Sequence, residues 1–171
     1  MRTTDKHLFF WTEIYSQWHL INMTCPVTNI TFNCSEQYMM YNKAILFGDE
    51  ETAAKILAET SPKKQKALGQ EVKNFNQDKW NANKFQIVCN ACMLKFTQNP
   101  RLLVSLLETG DRVLVEASPF DKIWGILMRE NDPGVDDEKN WKGENLLGYA
   151  LVDTRKYIRS ILSNISNLFM L

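Results

Sequence analysis

Apolar residues return every three or four positions between Asp78 and Gln98, at Trp80, Ile87, Val88, Ala91, Met93, Leu94 and Phe96, with Lys84 in the same register. That spacing predicts the longest helix of the chain. Shorter helical patterns surround it, and each carries a start or stop signal. Ser35 stands as the N-cap before EQYMMYNKAIL. Asp49-Glu50-Glu51 opens DEETAAKILAE with acids where the helix macrodipole favours them. Ser61-Pro62 supplies a cap and a first-turn proline for KKQKALGQEV, which Gly69 ends or interrupts. Pro100 opens RLLVSLLETG and Gly110 stops it. In RVLVEAS, Val113 and Val115 alternate with Leu114 and Glu116, a strand covered on both faces. Residues 1–34 read as short strands and loops, and Ser118 to Gly143 as loop. A last helix starts near Asn145 and runs into a C-terminal amphipathic stretch, residues 157–171. Its apolar stripe (Ile158, Ile161, Leu162, Ile165, Leu168, Phe169) is expected to dock on the domain or on a neighbouring subunit. The pattern predicts one α+β domain over residues 1–171, mainly α-helical with a small β element.

Composition narrows the classes. A chain of 171 residues can bury a core without disulfides or metals. Twenty basic residues balance twenty acidic ones, so no general electrostatic footprint for a phosphate backbone exists. No run approaches the roughly 18 apolar residues of a membrane helix. The first residues include Asp5 and Glu13 and lack a small-residue cleavage site, unlike a signal peptide. The expectation is a cytoplasmic protein without a membrane partner. Cys89 and Cys92 form a CxxC, but inside the apolar run FQIVCNACMLKF, where a three-residue spacing puts both on one helix face as small hydrophobes. No metal and no cofactor are expected.

Three segments carry candidate chemistry, and none is a nucleophile elbow or a phosphate loop. Glu36, Met40 and Lys43 follow at i, i+4 and i+7 and share one helix face. They are either solvated surface charges or an acid and an amine facing a pocket. In VEASPFDKIWG a strand feeds a loop with Asp121, Trp124 and Gly125. Asp121 reads as a functional acid or as a turn acid. In WKGENLLG, Trp141, Lys142 and Gly143 precede Asn145 at a helix start. Backbone N–H groups there suit a phosphate, and a plain helix cap explains the same residues.

Taken in order, SEQYMMYNKAILFGDEETAAKIL, SPKKQKALGQEVKNFNQDKW, KFTQNPRLLVSLLETGDRVLVEASPFDKIWG and WKGENLLGYALVDTR resemble the NADAR (YbiA-like) family over about residues 32–156. The resemblance implies a compact, mainly helical domain around a polar cleft, and cleavage of N-glycosidic bonds. It implies either removal of ADP-ribose from guanine in a nucleoside or nucleic acid, or hydrolysis of ribosylaminopyrimidine 5'-phosphate intermediates of riboflavin synthesis. A non-catalytic ADP-ribose or nucleotide reader is the reading from another class. The partner implied is an ADP-ribose or ribosyl-phosphate substrate. Of these, removal of ADP-ribose from guanine is the leading expectation.

Carried over by position, the resemblance makes Glu36 the essential acid, Asp121 a second acid and Lys43 the lysine of the same helix. Trp80 and Trp124 match aromatic positions. The carry-over implies that Glu36 moves the proton, Lys43 attacks C1', and Asp121 orients ribose or steadies positive charge. Trp18, in YSQWH, approximates the family's aromatic N-terminal stretch. Gly125, Trp141, Lys142, Gly143 and Asn145 belong to the implied substrate-binding set, with Lys122 beside them for an anion. Two departures stand out. ALGQ puts Gln70 where the family commonly has an arginine, and Ile-Leu-Met follows Gly125 where it has a second glycine.

Overall fold

His7-Leu8-Phe9-Phe10 is buried at every position, the signature of a strand covered on both faces rather than one facing water. The computed structural model describes residues 1–168, the Leu168 side chain excepted. Strand β1 (Arg2–Thr3) pairs antiparallel with β2 (His7–Phe10), Arg2 opposite Phe9. A two-stranded ribbon, β3 (Met23–Thr24) and β4 (Thr31–Phe32), follows. Then come α1 (Ser35–Leu46), α2 (Glu50–Ala58), α3 (Pro62–Gln70), α4 (Gln77–Thr97) and α5 (Pro100–Glu108). Strand β5 (Val113–Glu116) runs parallel to β2, His7 opposite Val113 and Phe10 opposite Glu116. A 3-10 turn at Glu138–Asn140 and α6 (Leu146–Leu168) close the order. The α+β class and its helical bias are as expected.

The chain gathers into two compact units: residues 1–16 with 100–171, and residues 17–99 between them in sequence. In the first, Phe9, Val115, Ala117, Ile126, Met128 and Val135 form a core cluster from the sheet and the loop after β5. In the second, Met23 and Phe32 of the ribbon pack with Tyr38 of α1 and Ala91 of α4. Two buried amides lock its helices. Gln37 donates to the carbonyls of Ile56, Leu57 and Glu59, satisfying the open end of α2. Gln65 donates to the Glu59 carbonyl and the Asn33 side chain.

Several expectations shift by a residue or a role. The α1 cap is Cys34, extended at φ −168°, whose Sγ accepts from Gln37 N–H at 3.4 Å; Ser35 is already helical. Gly69 neither ends nor interrupts α3, which runs on to Gln70. Cys89 and Cys92 sit mid-α4 without a disulfide; Cys92 is buried as the packing reading expected, whereas Cys89 is only half-buried. The C-terminal stripe does not dock on the domain as a whole. Ile158 is buried, but Ile161, Leu162 and Ile165 are exposed. Phe169 and the side chain of Leu168 lie outside the described residues. Among the described residues no helix is long and apolar enough to cross a membrane.

Candidate active site

The face of α1 that carries Glu36, Met40 and Lys43 turns inward, not to solvent. Glu36 is 2% exposed, and its backbone N–H donates to the Gln17 carbonyl at 3.0 Å. The indole N–H of Trp18 donates to Glu36 Oε2 at 3.2 Å, so the tryptophan and the acid form one polar contact. Trp18 itself keeps 43% of its surface exposed. An acid here faces the positive end of the α1 dipole.

Lys43, two turns on, is half-buried. Its amine donates to the Gly69 carbonyl at 2.7 Å and lies over the rings of Phe75 and Trp80, 4.5 and 5.5 Å from their centroids. Burial lowers the Lys43 pKa below the usual lysine value, and the field of Glu36 partly offsets that. The carbonyl belongs to the last turn of α3, where backbone oxygens lack helical partners and a cation is favoured. Gly69 makes the approach possible. A Cβ there would run into Sδ and Cγ of Met40, so any larger residue needs the Met40 side chain to move aside. Gln70, the next residue, is exposed.

The same unit holds an amine that the sequence reading passed over. Lys95 is 1% exposed on the inner face of α4. Burial pushes its pKa down to about 8, against a smaller opposing influence of Cys92 and Cys34. The His19 pKa is lowered by its own burial and then by the Lys95 charge. A signal for Lys95 existed, since it continues the spacing Val88, Ala91, Cys92 into the buried stripe. Phe75 and the Gly69 carbonyl were missed as well. Neither a lone phenylalanine nor a backbone oxygen announces itself in a sequence.

In the other unit the residues singled out form a knot of backbone bonds. Asp121 Oδ1 accepts from the N–H groups of Ile123 and Trp124 at 2.9 and 2.8 Å, closing a turn. Trp124 is buried. At Gly125 a Cβ would crowd the carbonyls of Glu116 and Asp121. The WKGEN segment lies against this turn. Lys142, Glu144, Asn145, Leu146 and Leu147 donate their amides to the carbonyls of Ile126, Lys122, Gly125, Ile123 and Trp124. None of these five amides is therefore available to a phosphate, which corrects that expectation. Gly143 presses on the Gly125 carbonyl with no room for a side chain.

Asn145, at φ 53° and fully buried, fixes β5: Oδ1 accepts from Glu116 N–H and Nδ2 donates to Leu114 O, each at 3.0 Å. Trp141 donates its indole N–H to the Val135 carbonyl at 2.8 Å and packs on the core. Lys122 and Lys142 are exposed. Among the described residues no three His, Cys, Asp or Glu side chains gather as a metal site.

The chain is similar to known proteins along most of its length. The chain is 42% identical to the N-glycosidase R617 of Acanthamoeba polyphaga mimivirus, over 90% of this chain and 96% of that one. It is 33% identical to the N-glycosidase Npun_R5314 of Nostoc punctiforme, over 75% of each chain. It is 30% identical to the N-glycosidase YbiA of Escherichia coli, over 75% of this chain and 71% of that protein. The NMR structure of E. coli YbiA superposes with a TM-score of 0.72 at 25% identity, covering 92% of this chain and 88% of that one. The NADAR domain model matches residues 7–159, a span that holds both the acid–lysine helix and the backbone knot, and the chain belongs to the NADAR family.

Proposed function

We propose that this chain removes ADP-ribose from guanine by cleaving the ribose C1'–N bond, with Glu36 and Lys43 as its acting groups. The coarser statement rests on family and relatives: the chain is a hydrolase of N-glycosyl bonds. The observation that supports the finer reading is the α1 face. There a buried carboxylate is held by the Trp18 indole, and an amine within its field is made less basic by burial. A lysine with a lowered pKa carries more of the neutral, nucleophilic form near neutral pH.

In this reading the Lys43 nitrogen attacks C1' and the bond from C1' to the base nitrogen breaks. The proton lost by Lys43 reaches the departing nitrogen through Glu36. The sugar then opens to a Schiff base on Lys43, and water adds to release ADP-ribose and the free amine. Atoms and charge balance with water as the second substrate. Trp18, 43% exposed, supplies aromatic area suited to a base or an adenine.

The test is turnover on ADP-ribosylated guanosine, ADP-ribosylated DNA and a ribosylaminopyrimidine 5'-phosphate, followed by released product. Turnover of an ADP-ribosyl substrate supports the reading. Cleavage confined to the aminopyrimidine transfers the site to that substrate. Binding of ADP-ribose without release on any substrate would make the chain a reader.

A further inference from the structure

The Lys43 amine rests in a device of three parts, only one of which is Trp80, the aromatic position the family resemblance supplies. Gly69 gives a carbonyl acceptor at 2.7 Å, Phe75 a ring face at 4.5 Å, and Trp80 a second face at 5.5 Å. Phe75 is the nearer ring, although it lies in the segment between α3 and α4 and keeps 42% of its surface exposed. It packs against Phe47, a buried residue whose ring centroid is 5.2 Å away.

We propose that Phe75 is a positioning residue, which with the Gly69 carbonyl holds the Lys43 amine in one orientation. This rests on the reading of Lys43 as the attacking group. The carbonyl takes one N–H and the two ring faces flank the nitrogen, which leaves the lone pair of the neutral amine a restricted direction. Restricting that direction lowers the entropic part of the attack barrier. The rings also favour the ammonium form, since a cation is attracted to an aromatic face. They therefore act against the burial that lowers the Lys43 pKa, in the same sense as Glu36. The groups around the amine are few. Glu36 supplies the charge from α1, Gly69 a neutral carbonyl from α3, and Trp80 a ring from α4. Lys79, also on α4, turns its amine to the Leu46 carbonyl at 2.9 Å and over the Phe47 ring.

The experiment is competitive acetylation of Lys43 across pH, read by peptide mass, in the intact protein and in Phe75→Leu, Phe75→Met and Phe75→Tyr. Loss of the ring in Leu and Met should lower the Lys43 labelling midpoint by about half a pH unit, and Tyr should restore it. With substrate, Leu and Met should lower kcat about tenfold with KM within about twofold. A residue that merely fills space would leave the labelling midpoint unmoved. An unchanged midpoint in both Leu and Met, or a Tyr variant no better than Leu, overturns the proposal. Labelling needs no substrate. Hence a midpoint shift in a protein without glycosidase activity supports the clamp and removes the reading of Lys43 as the attacking group.

Discussion

The face of α1 and the knot of loops after β5 were singled out by the same resemblance, yet they hold their polar groups in opposite ways. On α1 the carboxylate of Glu36 and the amine of Lys43 meet side chains and one carbonyl: Trp18, Phe75, Trp80 and Gly69. In the knot, the Asp121 oxygen, the Asn145 amide and five backbone N–H groups are bonded to the chain's own backbone. A motif can thus carry chemistry in one place and geometry in another. The difference appears only when the partners of each polar atom are counted.

Four substitutions test that contrast, beginning with the largest effect. Lys43→Met keeps the side-chain volume and removes the amine. It should lower kcat on the order of a thousandfold while thermal unfolding shifts little. Glu36→Gln should lower kcat on the order of a hundredfold. It should also move the Lys43 labelling midpoint down, because the carboxylate raises the pKa of that amine against the effect of burial. An activity within twofold of the parent for either variant would put the chemistry elsewhere.

Asn145→Ala tests the other side. One buried and one part-buried backbone group of β5 lose their partners, a cost of about 2–4 kcal/mol in urea unfolding. At a temperature where the variant is folded, KM should stay within about twofold. A raised KM with stability intact would mean that Asn145 meets substrate and would dissolve the contrast.

Lys95→Met gives the smallest change in activity and a distinctive pH signature. Lys95 has its pKa lowered from 10.5 to about 8. The folded state therefore disfavours its charge, and the penalty is full below about pH 8. It fades as pH rises toward 10.5, so stability grows through that window. The whole change is on the order of 3 kcal/mol. Urea unfolding at pH 7 and pH 10 should show the parent gaining on the Met variant by that order. A constant difference between the two would mean that Lys95 is not held buried.

Much of this was legible in the residues. The 3.6-residue spacing of α4, the Ser61-Pro62 start, the stop at Gly110 and the buried β5 all follow from local pattern. The shared face of Glu36 and Lys43 followed from i, i+7 geometry. What local pattern could not give was contact across the chain. Whether that face is wet depends on α3 passing close at Gly69, which reads in sequence as a helix breaker. A buried amine at Lys95 breaks the habit that charges lie outside, so its place in the apolar stripe was passed over. The amides before α6 looked available because a helix start leaves them open, and only the fold shows that residues 122–126 take them up. The outer stripe of α6 followed the apolar period faithfully, but period alone does not supply a surface to cover it.

The central claim is that Lys43 bonds to C1' of the substrate. It is tested most directly by borohydride reduction during turnover of ADP-ribosylated guanosine, followed by peptide mass mapping. The expected result is an ADP-ribosyl adduct on the peptide that holds Lys43, absent from Lys43→Met. Full turnover with every lysine unmodified would contradict it.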